Sequence, residues 1–137
     1  MATLSIRKLN NTDYDDILCS WWKDWGWVAP AKDFLPEDGQ GGLIVFDGLT
    51  PICAGFIYIT NSKASWVDWI ISSKTYTDRT NRKDAIKMLI LSLTNTCKNA
   101  GCKYSYALIK NSSLINVYKE IGYTEGSSYS TEMIKCL

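Results

Sequence analysis

The sequence predicts one α/β (α+β) domain on a mixed sheet, spanning residues 1–137 in the order β-α-(loop)-β-β-β-α-β-α-β. Three observations predict it. Between Gly42 and Ser72, β-rich runs follow one another with only turn residues between them, the signature of an antiparallel meander. A long apolar stripe follows, formed by Ile86, Leu89, Ile90, Leu93, Cys97 and Ala100 and closed by Gly101. Beyond it, a strand-like run and a second short helical pattern supply crossovers after the meander.

Each element has its own signal. Leu4 to Leu9 alternates as a first strand. Thr12 with Asp15 makes a capping-box-like start, and Tyr14, Ile17, Leu18, Trp21, Trp22 and Trp25 keep helical spacing, which predicts an amphipathic helix over about 13–23. Gly26, Pro30, Pro36, Gly39, Gly41 and Gly42 then mark a long irregular connection, suited to binding because compact packing does not need its length. Gly42–Phe46 and Ile52–Thr60 read as strands joined by the hairpin signal Asp47-Gly48-Leu49-Thr50-Pro51. Asn61–Ala64 turns into a strand over Ser65–Ser72, and polar Ser73–Asn81 leads to the long helix at about Arg82–Asn99. Tyr104–Ile109 reads as a strand, Ser113–Ile121 as a short helix stopped by Gly122, and Met133 with Ile134 as a last strand.

Composition narrows the chemistry. The net charge is +1, from 15 basic and 14 acidic residues, which gives no electrostatic reason to expect nucleic acid or a membrane as partner. No segment is apolar enough for a signal peptide or a membrane span, so a cytoplasmic location is expected. The five scattered cysteines lack any C-x-x-C pair and read as reduced thiols with no metal. Histidine is absent, which removes Ser-His and Cys-His nucleophilic catalysis and His-containing zinc sites. Proton transfer must then fall to carboxylate, tyrosine, lysine, cysteine or water.

Residues Asn111 to Tyr123, NSSLINVYKEIGY, carry a family resemblance. Asn111, six intervening residues, Tyr118, three more, then Gly122 and aromatic Tyr123 fall at the spacing of the GNAT acyl-CoA N-acyltransferases. Ala100-Gly101-Cys102-Lys103 precedes them at that family's spacing, and Glu132-Met133-Ile134-Lys135 fits its last strand. The resemblance covers residues 42–135 by motif and residues 4–23 by element order. Within the family the chain resembles small GNAT-like proteins of phages and marine environmental sequences. The cues are the Trp21-Trp22 pair, Leu35-Pro36 followed by Gly-Leu-Ile-Val, the Tyr58–Ser62 turn and Asp68-Trp69-Ile70-Ile71-Ser72.

The resemblance implies a GNAT-like sheet in which the central strands Ser65–Ser72 and Tyr104–Ile109 splay to admit acetyl-CoA or another acyl-CoA. It also implies roles. Tyr118 would protonate the departing thiolate, with a core tyrosine as the other reading of its helical spacing. Ile70, Ile71 and Ser72 would offer backbone groups to the pantetheine arm, and Asn111 would bond that arm or simply start a helix. Asp68 is unusual in a strand and would deprotonate or orient the attacking amine, the alternative being a carboxylate on an open sheet face. Trp22, Trp25, Trp27 and Phe34 would wall the acceptor pocket, against a plain core reading of the tryptophans on the helical stripe. Lys74, Arg79, Arg82 and Lys83 would meet the phosphates, or else lie on a solvated loop.

One departure bears on the cofactor. The family's glycine-rich pyrophosphate turn falls by count on Asn81-Arg82-Lys83-Asp84-Ala85-Ile86, where Asp84 and Ile86 replace both glycines and Asn81 with Asp84 suggests a self-capped helix start. Two functions follow from the resemblance and this departure from it. One is N-acylation of an amine on a small molecule or protein by direct attack on an acyl-CoA thioester. The other is a binding module on the same scaffold that uses the Trp-rich helix and loop. Transfer from aminoacyl-tRNA is a third, and the near-neutral charge speaks against it. Pairing as a homodimer stays open.

Overall fold

Hydrophobic alternation along four consecutive strands writes two apolar faces onto one sheet, and the helices divide between them. The computed structural model describes residues 2–128 and 131–137. Strands β1 (Leu4–Lys8), β2 (Gly42–Asp47), β3 (Thr50–Ile59), β4 (Ala64–Ser72) and β5 (Tyr104–Tyr106) lie in sequence order across the sheet. The first four are antiparallel, and β5 runs parallel to β4.

On one face Ile44, Ala54, Phe56 and Ile71 pack with Leu18, Trp21, Trp22 and Leu35. These come from a π-helical turn at Tyr14–Leu18, helix α1 (Cys19–Asp24), and the connection after it. On the other face Val45, Cys53 and Val67 pack with Leu89, Ile90 and Leu93 of α2 (Arg79–Asn99) and Tyr118 of α3 (Ser112–Glu120). Adjacent residues such as Ile44 and Val45 therefore serve opposite cores, as a period of two requires.

The predicted order holds through the second crossover helix, with four differences. The first helical segment begins at Tyr14 with no side-chain cap, and the Thr12–Asp15 capping box does not form: Asn10, in the turn before it, accepts the Thr12 hydroxyl and the N–H groups of Thr12 and Asp13. Helix α2 starts a turn earlier than the stripe suggests, because Asp78 is its N-cap and accepts the Asn81 N–H at 3.0 Å. The strand predicted over Tyr104–Ile109 pairs only from Tyr104 to Tyr106. The last strand at Met133 and Ile134 does not form. Both residues are solvent-exposed, and no sheet edge lies along them.

Candidate active site

Strand β4 leaves its parallel neighbour abruptly. Ala64, Ser65 and Trp66 pair with Tyr104, Ser105 and Tyr106, and pairing stops there. At the same point β4 slips against β3: Ala54 faces Ile71, but Phe56 faces Asp68. Unbroken alternation from Val67 would turn Ile71 toward α2. Instead Ile70 packs on that side and Ile71 on the α1 side, so one extra residue has been inserted. Trp69 absorbs it with φ of 56°, a left-handed conformation that costs a bulky residue about 1–3 kcal/mol. Gly55 lies opposite, where a Cβ would stand 2.5 Å from Ile70 Cδ1. Bulge and splay together open a V beyond Trp66 and Tyr106.

Two sequence-predicted side chains bond to the backbone around that opening. Asp68 accepts the Trp69 N–H at 2.9 Å and the Leu108 N–H at 3.1 Å, the second from the segment leaving β5. Burial raises its pKa, and the two N–H groups oppose that rise without cancelling it. Tyr118, buried on α3, donates its hydroxyl to Val67 O at 2.8 Å. Burial raises its pKa, and the Asp68 charge raises it further. The Tyr58 hydroxyl is likewise pushed up to about 12 by burial and then by Asp68. The Asp68 charge thus adds to burial in holding the protons of two tyrosines, Tyr58 and Tyr118, at neutral pH.

The ladder also orients the residues expected to bind the pantetheine arm. Ser73 donates to Ile52 O on β3 at 2.7 Å, so by alternation Ser72 turns its carbonyl away from β3, to the side β5 has vacated. Ile70 shares that orientation, whereas Ile71 faces β3 across Ala54. Ser72 O is not bare: the indole N–H of Trp25 donates to it at 2.8 Å.

At the phosphate end the residues separate. Arg82 bends back to the carbonyls of Ser73, at 3.1 Å, and Tyr76, which ties down the connection before α2. Lys83 pairs with Glu120 of α3 at 3.1 Å. Arg79, in the first turn of α2, is exposed and makes no ion pair among the described residues. Asp84 lies a turn inside the helix, so residues 81–86 form no turn and the glycine-less segment is ordinary helix. Asn111 caps α3 by accepting the Leu114 N–H at 3.0 Å, which realises its helix-start reading.

The aromatic wall is partly different from the one expected. Trp22 is 2% exposed and packs in the core beside Tyr14, which realises the core reading of its helical stripe rather than the wall. Trp25 stacks on Trp27 with centroids 5.6 Å apart and an interplanar angle of 17°, and Trp27 is 55% exposed. Phe34 is half exposed and meets Trp69 edge-on at 5.8 Å. Trp69 is the member that sequence reasoning missed. Nothing in the run Trp66-Val67-Asp68-Trp69-Ile70-Ile71 marks the inserted residue, because a strand buried on both faces also reads as a continuous apolar run.

The sequence matches no protein-family model and no curated protein. Comparison of folds gives more. An aminoglycoside N-acetyltransferase in complex with CoA superposes with a TM-score of 0.66, at 15% identity over 99% of this chain and 97% of that one. A glucosamine-6-phosphate N-acetyltransferase from Arabidopsis thaliana gives 0.67, at 13% identity over 97% and 99%. The chain has a GNAT fold. An N-acetylglutamate synthase from Neisseria gonorrhoeae, complexed with coenzyme A and N-acetyl-glutamate, gives 0.70 at 14% identity. There the GNAT fold of this chain is covered over 93% and accounts for 30% of the larger protein. At these identities the likeness is one of fold. Among the described residues no helix is long and apolar enough to cross a membrane.

Proposed function

We propose that this chain is an N-acyltransferase that moves an acetyl or acyl group from acyl-CoA to an amine by direct attack. The observation that supports the reading is the V beyond Trp66 and Tyr106, with the Asp68 carboxylate bonded across it to Leu108, the Tyr118 hydroxyl on Val67 O at its margin, and no histidine in the chain. The vacated edge of β4 suits an extended, amide-bearing arm, because Ile70 and Ser72 turn their backbone groups toward it. Arg79 suits the phosphate end, while Arg82 and Lys83 are committed within the fold. The acyl-CoA supplies an activated thioester. Asp68, held ionisable at a raised pKa, accepts the proton of the attacking amine directly or through water. Tyr118, its hydroxyl released from Val67 O, delivers a proton to the departing sulfur. No covalent enzyme intermediate is required.

The acceptor is an amine on a small molecule, or on a protein, held against Trp27, Phe34 and Trp69. The fold relatives that bind an aminoglycoside analogue or N-acetyl-glutamate support the small-molecule form. A cytoplasmic site of action, an optional homodimer and kinship with small phage and marine environmental GNAT chains belong to the same proposal. The rival reading, a cofactor-free binding module, is favoured by one observation: Asp78 and Trp25 already satisfy groups a cofactor would use. Calorimetric titration with acetyl-CoA, followed by labelled acetyl transfer to a panel of amines, separates the two. Binding with transfer supports the enzyme, and absence of binding at millimolar acetyl-CoA supports the module.

A further inference from the structure

The end of α1 is fastened to the end of β4 by three contacts that converge on one indole. Trp25 donates its N–H to Ser72 O at 2.8 Å. Lys74 places its ammonium 5.4 Å from the centre of the Trp25 ring and donates to Asp24 O at 3.4 Å. Trp27 stacks on the same ring. Ser72 O belongs to the edge that β5 abandons, as the Ser73 bond to Ile52 establishes. Along that edge Val67 O is taken by Tyr118 and Ser72 O by Trp25, two acceptors on one strand filled by side chains from two different helices.

We infer that Trp25 is a specificity-determining residue that competes with ligand for the β4 edge. The inference rests on the proposed acyl-CoA reading and adds a residue to it. A backbone carbonyl has two lone pairs, but the Trp25 indole reaches Ser72 O from the same vacated side that an added strand would use. An amide N–H of an extended ligand pairing with Ser72 therefore meets the indole N–H as a competitor. Because Trp27 is stacked on Trp25, the acceptor wall moves with it. Occupancy of the β4 edge and arrangement of the aromatic wall are then one equilibrium, and ligands without an amide at that position leave the wall as it stands.

The experiment uses the full chain with coenzyme A as probe. In an ¹⁵N spectrum of the wild type, the Trp25 indole resonance is assigned by its loss in Trp25→Phe, and coenzyme A is then titrated. The expected result is a large shift of that resonance with saturation, together with coenzyme A affinity about fivefold tighter in Trp25→Phe, the gain from one competing hydrogen bond removed. Thermal melting of the variant verifies that it folds; should it fail to fold, the Trp25 indole is assigned by triple-resonance spectra of the wild type and the wild-type titration alone decides. An unmoved Trp25 resonance at saturating coenzyme A, or equal affinities in a folded variant, overturns the competition while leaving the acyltransferase reading intact. Binding by Trp25→Phe alone supports the competition in its strongest form. Absence of binding to both proteins at millimolar coenzyme A overturns the competition and the acyltransferase reading together.

Discussion

The Asp68 carboxylate on β4 accepts the N–H of Leu108 at 3.1 Å across the gap where β5 turns away. That bond is a strap at a fixed width. It occupies the N–H that a longer β4–β5 ladder would need, and its second oxygen pins the left-handed Trp69. The same side chain therefore shapes the opening and, under the proposed mechanism, would act in it as the base.

Asn at position 68 has one acceptor oxygen for two N–H groups, so one of the two bonds is lost. Under the proposed mechanism Asp68→Asn lowers kcat by about 100-fold or more, with a much smaller change in the dissociation constant for acetyl-CoA. Steady-state kinetics beside calorimetry measure both.

The buried acids predict opposite pH responses. Asp68 is raised above its ordinary 3.8, so between 3.8 and that raised value the folded state keeps a proton the unfolded chain has released. Its contribution to stability falls as pH rises through that window. Burial pushes Asp13 up, but the bidentate Arg7 guanidinium and the Asn10 N–H outweigh it and hold the carboxyl below 3.8. Its contribution is present above 3.8 and is lost as pH falls through the lowered value. Urea unfolding across pH 3 to 6 is expected to show the Asp68 drift vanish in Asp68→Asn and the acid loss shrink in Asp13→Asn.

Tyr118→Phe removes the donor to Val67 O inside the core, at an expected cost of about 1–2 kcal/mol in denaturant unfolding. Under the proposed mechanism turnover falls at least about 100-fold with acetyl-CoA affinity nearly unchanged, because the proton would be needed only as thiolate charge develops. Equal losses in affinity and turnover would mark Tyr118 as a packing residue alone.

Arg79 and Arg82 separate binding from folding. Arg82→Ala is expected to cost about 2 kcal/mol, since its guanidinium ties the carbonyls of Ser73 and Tyr76. Arg79→Ala is expected to leave the melting temperature unchanged and to weaken coenzyme A binding several-fold, more at low salt than at high.

The sheet and both crossover helices were legible because their signals are local: alternation over Gly42–Ser72, a stripe from Ile86 to Ala100, and glycines at Gly101 and Gly122, both with positive φ. Asp68 was legible as an anomaly, an acid in an apolar strand. Trp22 was misplaced because one helical stripe contains both core and wall, and only the three-dimensional path after Gly26 divides them. The start of α2 was misread because Asp78, Asn81 and Asp84 are all capping residue types, and it is Asp78 that accepts a first-turn N–H, from Asn81. The Trp25–Ser72 bond joins residues 47 apart, beyond the reach of any periodicity.

The sheet ends on β5, three residues long, with Tyr104 and Tyr106 exposed on its margin. An unpaired margin of that kind recruits other chains in proportion to its length and flatness, and here its brevity is the safeguard against aggregation. The divergence that opens the site is also what cuts β5 short. Any change that closed the V by extending β5 along β4 would therefore lengthen a sticky border, and precipitation in concentrated solution would accompany the lost cleft.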